Sequence, residues 1–221
     1  MKIIITGATG MVGQSVLTEC LRSPLVKELL IIGRRSCEIG SPKIKEIIHN
    51  NFLDFSEIKN ELKGYDACFY CLGVSSLEMS KEQYFEITYS YTVAVAKILS
   101  KQNSNMHFSF ISGAGTDSKE KSRTNWARVK GKAENVLQKY PFSSISLFRP
   151  AYIKALDNVT PSYSINKYFD WLLYPVLKTF FPKAVITSRE LGLAMINSIH
   201  QKEKVKIIGN SDIQKLATLK I

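Results

Sequence analysis

Three glycines spaced three apart, Gly7, Gly10 and Gly13, punctuate the string Thr6-Gly7-Ala8-Thr9-Gly10-Met11-Val12-Gly13. Such residues at such a spacing can bring bare backbone N–H groups against a phosphate. The run Lys2-Ile3-Ile4-Ile5 before them reads as a buried strand, and the residues after Gly10 read as a helix. Gly7 then permits a sharp turn, Gly10 lets the backbone approach the phosphates, and Gly13 lets the helix pack close to the strand. The positive end of that helix points at the anion. The spacing departs from the strict G-x-G-x-x-G. The strand before it and the helix after it make it a dinucleotide-pyrophosphate signature, with the backbone of Thr9, Gly10, Met11 and Val12 against the ligand. The bland alternative is a glycine-rich turn that binds nothing.

A second pattern ends the next strand, Ile31-Ile32-Gly33-Arg34-Arg35. An acidic residue about 20 positions beyond the glycines would accept the ribose hydroxyls of NAD. Here two guanidiniums stand in its place, and a planar, permanently charged fork suits a 2′-phosphate. The expectation is NADP(H) in preference to NAD(H), against the alternative of two surface arginines after a strand. Asp54-Phe55, past the third strand, is expected to flank the adenine, with Asp54 accepting from its exocyclic amine. A simple helix N-cap is the equal alternative for Asp54.

The elements that must position these residues alternate. Strands are expected at Lys2–Thr6, Glu28–Gly33, Ile44–His49, Asp66–Leu72, His107–Ser112, Ser144–Phe148 and Val205–Ile208. Helices are expected at Met11–Arg22, Ser56–Leu62, Lys81–Gln102 and Asn125–Lys139. This rhythm predicts an α/β fold: a doubly wound, mostly parallel, Rossmann-type sheet with ligands beyond the carboxyl ends of the strands. Residues 1–221 are read as one domain, with 150–190 contributing a small C-terminal helical cap on the substrate side. Tyr163 to Pro182 is rich in aromatic and aliphatic residues (among them Phe169, Trp171 and Phe181) and is broken by Pro175. It is read as core or cap before dimer surface or membrane-surface helix. Thr187-Ser188-Arg189-Glu190 reads as a capping box that starts a helix running to His200.

Composition sets the outer limits. The charge of +11 invites a nucleic-acid partner, but the basic residues are interleaved with acidic ones, as in Lys119-Glu120-Lys121 and Lys202-Glu203-Lys204. Such stretches are solvated faces and do not track a phosphate backbone. No apolar run is long enough to span a bilayer, and the first apolar stretch is too short for a signal peptide. Cys20, Cys37, Cys68 and Cys71 are read as reduced thiols in a cytoplasmic protein. Cys68 and Cys71 lie three apart on a strand and so face opposite sides, which argues against a redox pair. No metal site is expected. The expected partner is a small-molecule substrate or another protein, and the chain is read as a monomer or homodimer.

The ordered series Thr6-Gly7-x-x-Gly10-x-x-Gly13, Gly33-Arg34-Arg35, Cys71-Leu72-Gly73, Ile111-Ser112-Gly113-Ala114-Gly115, Val129-Lys130-Gly131 with Glu134, and Arg149-Pro150 resembles an atypical short-chain dehydrogenase/reductase. The branch is similar to the Tat-interacting-protein oxidoreductases and epimerase-like NAD(P)H-binding proteins. The resemblance implies bound cofactor contacted also at Cys71, Leu72, Gly73, Lys130, Arg149, Pro150, Tyr152 and Ile153. It implies catalysis by Ser, Tyr and Lys, the last two as Tyr-x-x-x-Lys on one helix face. There the ammonium lowers the phenol's pKa and holds the nicotinamide ribose.

This chain reads Trp126-Ala127-Arg128-Val129-Lys130 at that position. The lysine is in place, but an indole N–H only donates and does not ionise. Ser112 matches the family's serine, while Gly113 replaces the usual second one. The candidates for catalysis are thus Lys130, Ser112 and Trp126. Tyr152, Tyr163, Thr116 or Ser118 are possible substitutes for the missing phenol. Two functions stay open. One is an NADP(H)-dependent oxidoreductase or nucleoside-diphosphate-sugar-epimerase-like enzyme acting on a small carbonyl or hydroxyl substrate. The other is a non-catalytic NADP(H) sensor or interaction module. A basic nucleic-acid or membrane-surface binder ranks below both.

Overall fold

Strand β1 (Lys2–Thr6), buried from Ile3 to Thr6, lies inside a sheet in which all seven strands run parallel. On one side it pairs with β2 (Glu28–Gly33), which pairs with β3 (Ile44–Ile48). On the other side follow β4 (Ala67–Tyr70), β5 (His107–Ile111), β6 (Ser144–Arg149) and β9 (Val205–Gly209). The order is β3-β2-β1-β4-β5-β6-β9, so the chain reverses direction across the sheet between β1 and β4. A doubly wound sheet opens its ligand crevice at such a point. The structure, a computed structural model, describes residues 1–77, 79–156, 174–175, 179–201 and 203–219.

The sheet is covered on both faces, as an all-parallel sheet requires. Alternate residues of each strand feed two separate cores. Ile4, Cys68, Tyr70, Phe108 and Phe110 pack beneath α3 (Tyr91–Gln102) and α4 (Asn125–Leu137). Ile3, Ile5 and Phe69 pack beneath α1 (Met11–Arg22) and α5 (Ser188–Ser198), with Ile213 of α6 (Asn210–Ala217). Cys68 belongs to the first core and Cys71 packs against the second, so the C-x-x-C is split across the sheet, and all four thiols are free.

α5 starts where the capping box placed it: Thr187 Oγ1 accepts from the Glu190 N–H, and the Glu190 carboxylate accepts from the Thr187 N–H at 2.6 Å. The expected helix over Lys81–Gln102 is a composite. α2 (Lys81–Phe85) passes through a π-helical turn, Glu86–Ser90, into α3. Ser56–Leu62 forms turns instead of a helix, because Asp54 folds its carboxylate onto Ser56 and starts an Asx turn. Two short strands escaped the sequence reading, β7 (Tyr152–Lys154) and β8 (Val185–Thr187), which pair parallel in a second sheet. Three residues are too few to show a period. Residues 157–173 and 176–178 of the expected cap, including Tyr163, Phe169 and Trp171, lie outside the described residues.

At the amino end of β5, far from the crevice, His107 is buried among hydroxyls. Its Nδ1 lies 2.7 Å from Ser144 Oγ, and its Nε2 lies 3.0 Å from Ser109 Oγ and 3.3 Å from Ser198 Oγ. Burial, with a smaller push from His200, drives the imidazole's pKa down from 6.5 to about 3. The folded protein holds it neutral, while the unfolded chain binds a proton below pH 6.5. Its contribution is therefore complete above pH 6.5 and is lost as pH falls toward 3. Urea unfolding should show about 2 kcal/mol less stability at pH 5 than at pH 7 from this group. The His107→Gln variant should flatten that difference.

Candidate functional site

Close backbone approach shapes the crevice at the carboxyl end of β1. Gly7 has φ +73°, and a Cβ there would lie 2.7 Å from the backbone of Cys71 and Leu72. A Cβ on Gly13 would lie 2.0 Å from the Gly7 carbonyl oxygen. No side chain fits at either position. Gly10 differs: a Cβ there would meet only the Gly7 oxygen, at an ordinary 3.5 Å. Its missing side chain leaves space on the open side. Gly10 is also the N-cap of α1, contributes no side-chain cap, and is followed by no acidic residue in the first turn. The positive end of the helix thus faces a cleft of about 240 Å³.

The cleft runs from Gly7–Gly10 to Arg34 and Arg35, with Cys71, Leu72 and Gly73 along β4's end. Both arginines are exposed and have no acidic partner among the described residues. The far wall was not legible in the sequence. Phe52 stacks on Tyr91 with ring centroids 5.7 Å apart, and Ile87 of the π-helical turn joins them. Burial and Glu86, whose carboxylate accepts from the phenol at 3.3 Å, raise the Tyr91 pKa, with Arg34 opposing. The expected adenine pair sits elsewhere: Asp54 is exposed on its turn, Phe55 is buried in the core, and neither lines the cleft.

Past the end of β5 the candidate catalytic residues gather around a buried carboxylate. Glu134 of α4 is 1% exposed and takes both arms of the Arg149 guanidinium. It also accepts the Ser112 hydroxyl at 2.6 Å. Ser112 Oγ is a further 3.0 Å from the Phe148 carbonyl, so its proton is engaged within the protein. Arg149 is likewise spent on Glu134 and on Ser118 Oγ at 2.5 Å, away from the cleft. Thr116 donates to the Gly113 carbonyl at 2.7 Å. Pro150 is buried, its carbonyl accepting from Ala114, while Ile153 packs into the second core and half-buried Tyr152 starts β7. None of these lines the described cleft.

Trp126 and Lys130 lie on one face of α4. The indole rests on the loop after β5: a Cβ on Gly115 would come within 3.3 Å of its ring, and one on Gly113 within 3.9 Å. Both glycines have positive φ, +155° at Gly113 and +88° at Gly115. Lys130 Nζ donates to the Ser112 carbonyl. Burial lowers its pKa from 10.5 to about 8, with Glu134 opposing. Gly131 lets α4 reach the loop, since a Cβ there would lie 1.8 Å from the Asp117 oxygen. Among the described residues no cluster could hold a metal ion, and no helix is long and apolar enough to cross a membrane.

Residues 3–138 match the model of the NAD dependent epimerase/dehydratase family. Protein HTATIP2 of Rattus norvegicus is 26% identical over 155 residues, 69% of this chain but only 62% of that protein's length. Protein FMP52, mitochondrial, of Candida albicans is 25% identical, with 98% of each chain covered. Among solved structures, UDP-glucose 4-epimerase of Thermotoga maritima superimposes with a TM-score of 0.69 at 12% identity, over 98% of this chain and 81% of that one. WbmG of Bordetella bronchiseptica in complex with NAD gives 0.67 at 12%, over 95% and 72%. The shared feature is the Rossmann-type epimerase fold.

The Glu134 cluster is a testable structural element. Glu134→Gln leaves the Arg149 guanidinium without its counter-charge and should cost about 3 kcal/mol in urea unfolding. The double variant Glu134→Gln, Arg149→Met should recover part of that loss, as a direct ion pair requires.

Proposed function

The chain belongs to the NAD-dependent epimerase/dehydratase family, and from that membership we propose that it binds NADP(H), in preference to NAD(H), along the cleft beside Gly10. The observation that carries this reading is the pair Arg34 and Arg35, without acidic partners among the described residues, at the rim of a cleft walled by glycine backbone. Backbone N–H groups of the first turn of α1 would hold the pyrophosphate, and the two guanidiniums the 2′-phosphate. Cys71, Leu72 and Gly73 would border the adenosine ribose. The nicotinamide half would extend toward Lys130, Trp126 and Tyr152, and there the cofactor would supply or accept a hydride. The substrate class that follows is a small carbonyl or hydroxyl compound, in an oxidoreductase or epimerase-like reaction in the cytoplasm.

One observation favours a second reading. By the Tyr-x-x-x-Lys resemblance Trp126 takes the place of the phenol, and the Ser112 hydroxyl is committed to Glu134. A protein with both departures could bind cofactor and report its state to a partner without turning over. Carbonyl reduction that appears only on Trp126→Tyr replacement would select this reading.

Calorimetric titration of cofactor-stripped protein tests the first. NADPH should bind at least about tenfold more tightly than NADH, a difference of about 1.4 kcal/mol. Arg34→Ala with Arg35→Ala should remove that preference by weakening NADPH alone. Equal affinities in the native protein would refute the arginine assignment. Gly10 and Gly13 separate binding from folding. Gly10→Ala should keep stability within about 1 kcal/mol, since only a helix cap is exchanged, yet weaken NADPH by narrowing the cleft. Gly13→Ala should fail to fold normally.

A further inference from the structure

We propose that Lys130 is itself the proton donor of this site, its ammonium doing what the absent phenol does elsewhere in the family. The proposal rests on the cofactor reading above and assigns the acid that reading lacks.

Two hydroxyl protons near this site are already committed. Ser112 gives its proton to Glu134 and the Phe148 carbonyl, and Thr116 gives its own to the Gly113 carbonyl. The Trp126 indole does not ionise. Lys130 is four residues further along the same helix face, the separation at which side chains become neighbours. Its Nζ is anchored by one carbonyl, that of Ser112, at the strand end where the nicotinamide half would lie. An ammonium has three donors, so two stay available beyond that bond.

The surroundings favour release of a proton. No carboxylate forms an ion pair with Lys130 among the described residues. Glu134, one turn along α4, is the charged group that acts on it, and Arg149 of β6 already neutralises Glu134. The Asp117 carboxylate, on the loop packed against Gly131, is turned onto the backbone N–H groups of Lys119, Lys121 and Ser122. Burial with one carbonyl partner brings the amine's pKa down to about 8, close to working pH, where acid catalysis is most effective.

In the reductive direction Lys130 gives one ammonium proton to the carbonyl oxygen as the hydride of NADPH reaches the carbonyl carbon. The hydride pair forms the new C–H bond, and the C=O π pair forms the O–H bond. The products are an alcohol, NADP⁺ and a neutral Lys130 amine, which regains its proton from water.

Two measurements on the full-length native protein test this. Competitive acetylation with acetic anhydride, read peptide by peptide, gives each lysine's titration in the absence of cofactor. Lys130 should titrate near pH 8; a Lys130 that titrates at the ordinary lysine value of about 10.4 overturns the proposal. The second is NADPH-dependent reduction of 9,10-phenanthrenequinone and 4-nitrobenzaldehyde, with NADPH binding measured alongside by calorimetry. kcat should fall as pH rises through 8. Lys130→Arg keeps the charge but gives up no proton, and should lower kcat at least about 100-fold. Arginine variants that keep turnover, or loss of turnover in Tyr152→Phe instead, overturn the assignment. Tight NADPH binding without turnover in the native protein overturns it too and leaves the cofactor reading standing. Failure to bind NADPH removes the cofactor reading itself.

Discussion

How close α1 can come to β1 and β4 is the constraint on which the rest of the molecule depends. The sheet can be wound from both sides only if the first crossover helix starts directly above the first strand. Gly13 against the Gly7 carbonyl, and Gly7 against Cys71 and Leu72, make that approach with no room for a methyl group. The same approach aims the helix's positive end into the gap between β1 and β4, where the strand order reverses. Fold and cleft are thus one geometric solution. Gly10 is the exception that shows it. It borders the cleft without being required by the packing, so its lack of a side chain has a use only if something occupies the space beside it.

The other half of the crevice is organised by charge. Glu134 would be costly to bury alone, and Arg149 and Ser112 offset that cost by taking up its oxygens. The cluster joins the ends of β5 and β6 to α4 and so fixes the loop on which Trp126 lies. This rigidity has a chemical consequence: a serine that a motif would place in catalysis is spent on structure. The indole fits its position because Gly113 and Gly115 leave a bare shelf beneath it. The glycines of the loop and the tryptophan of the helix thus fit each other.

What was legible in the sequence was local. The glycine string, the strands of four or more buried residues and the Thr187 capping box all depend on near neighbours, and they stand where their patterns put them. The pairing of Phe52 with Tyr91 was not legible, because 39 residues separate two aromatics whose contact depends on the π-helical turn before α3. A single added residue in a turn rotates the helix face that follows, and no period in the sequence announces it. The fate of Ser112 was hidden for a similar reason, since its partner Glu134 is 22 residues away. Asp54 misled in the opposite direction. Its preference for the next backbone N–H made a turn where a helix was expected.

The two exchanges on α4 and β5 bear on each other. In a Tyr-x-x-x-Lys pair the lysine's charge is useful because it stabilises a phenolate. Remove the phenol, and a half-buried ammonium held by one carbonyl has lost that use while its desolvation cost remains. The hydrogen bond to the Ser112 carbonyl offsets part of that cost. The retained lysine, the indole fitted to its glycine shelf and the cleft with its uncapped helix end belong together. They motivate the assignment of proton transfer to Lys130 beside the proposed cofactor cleft.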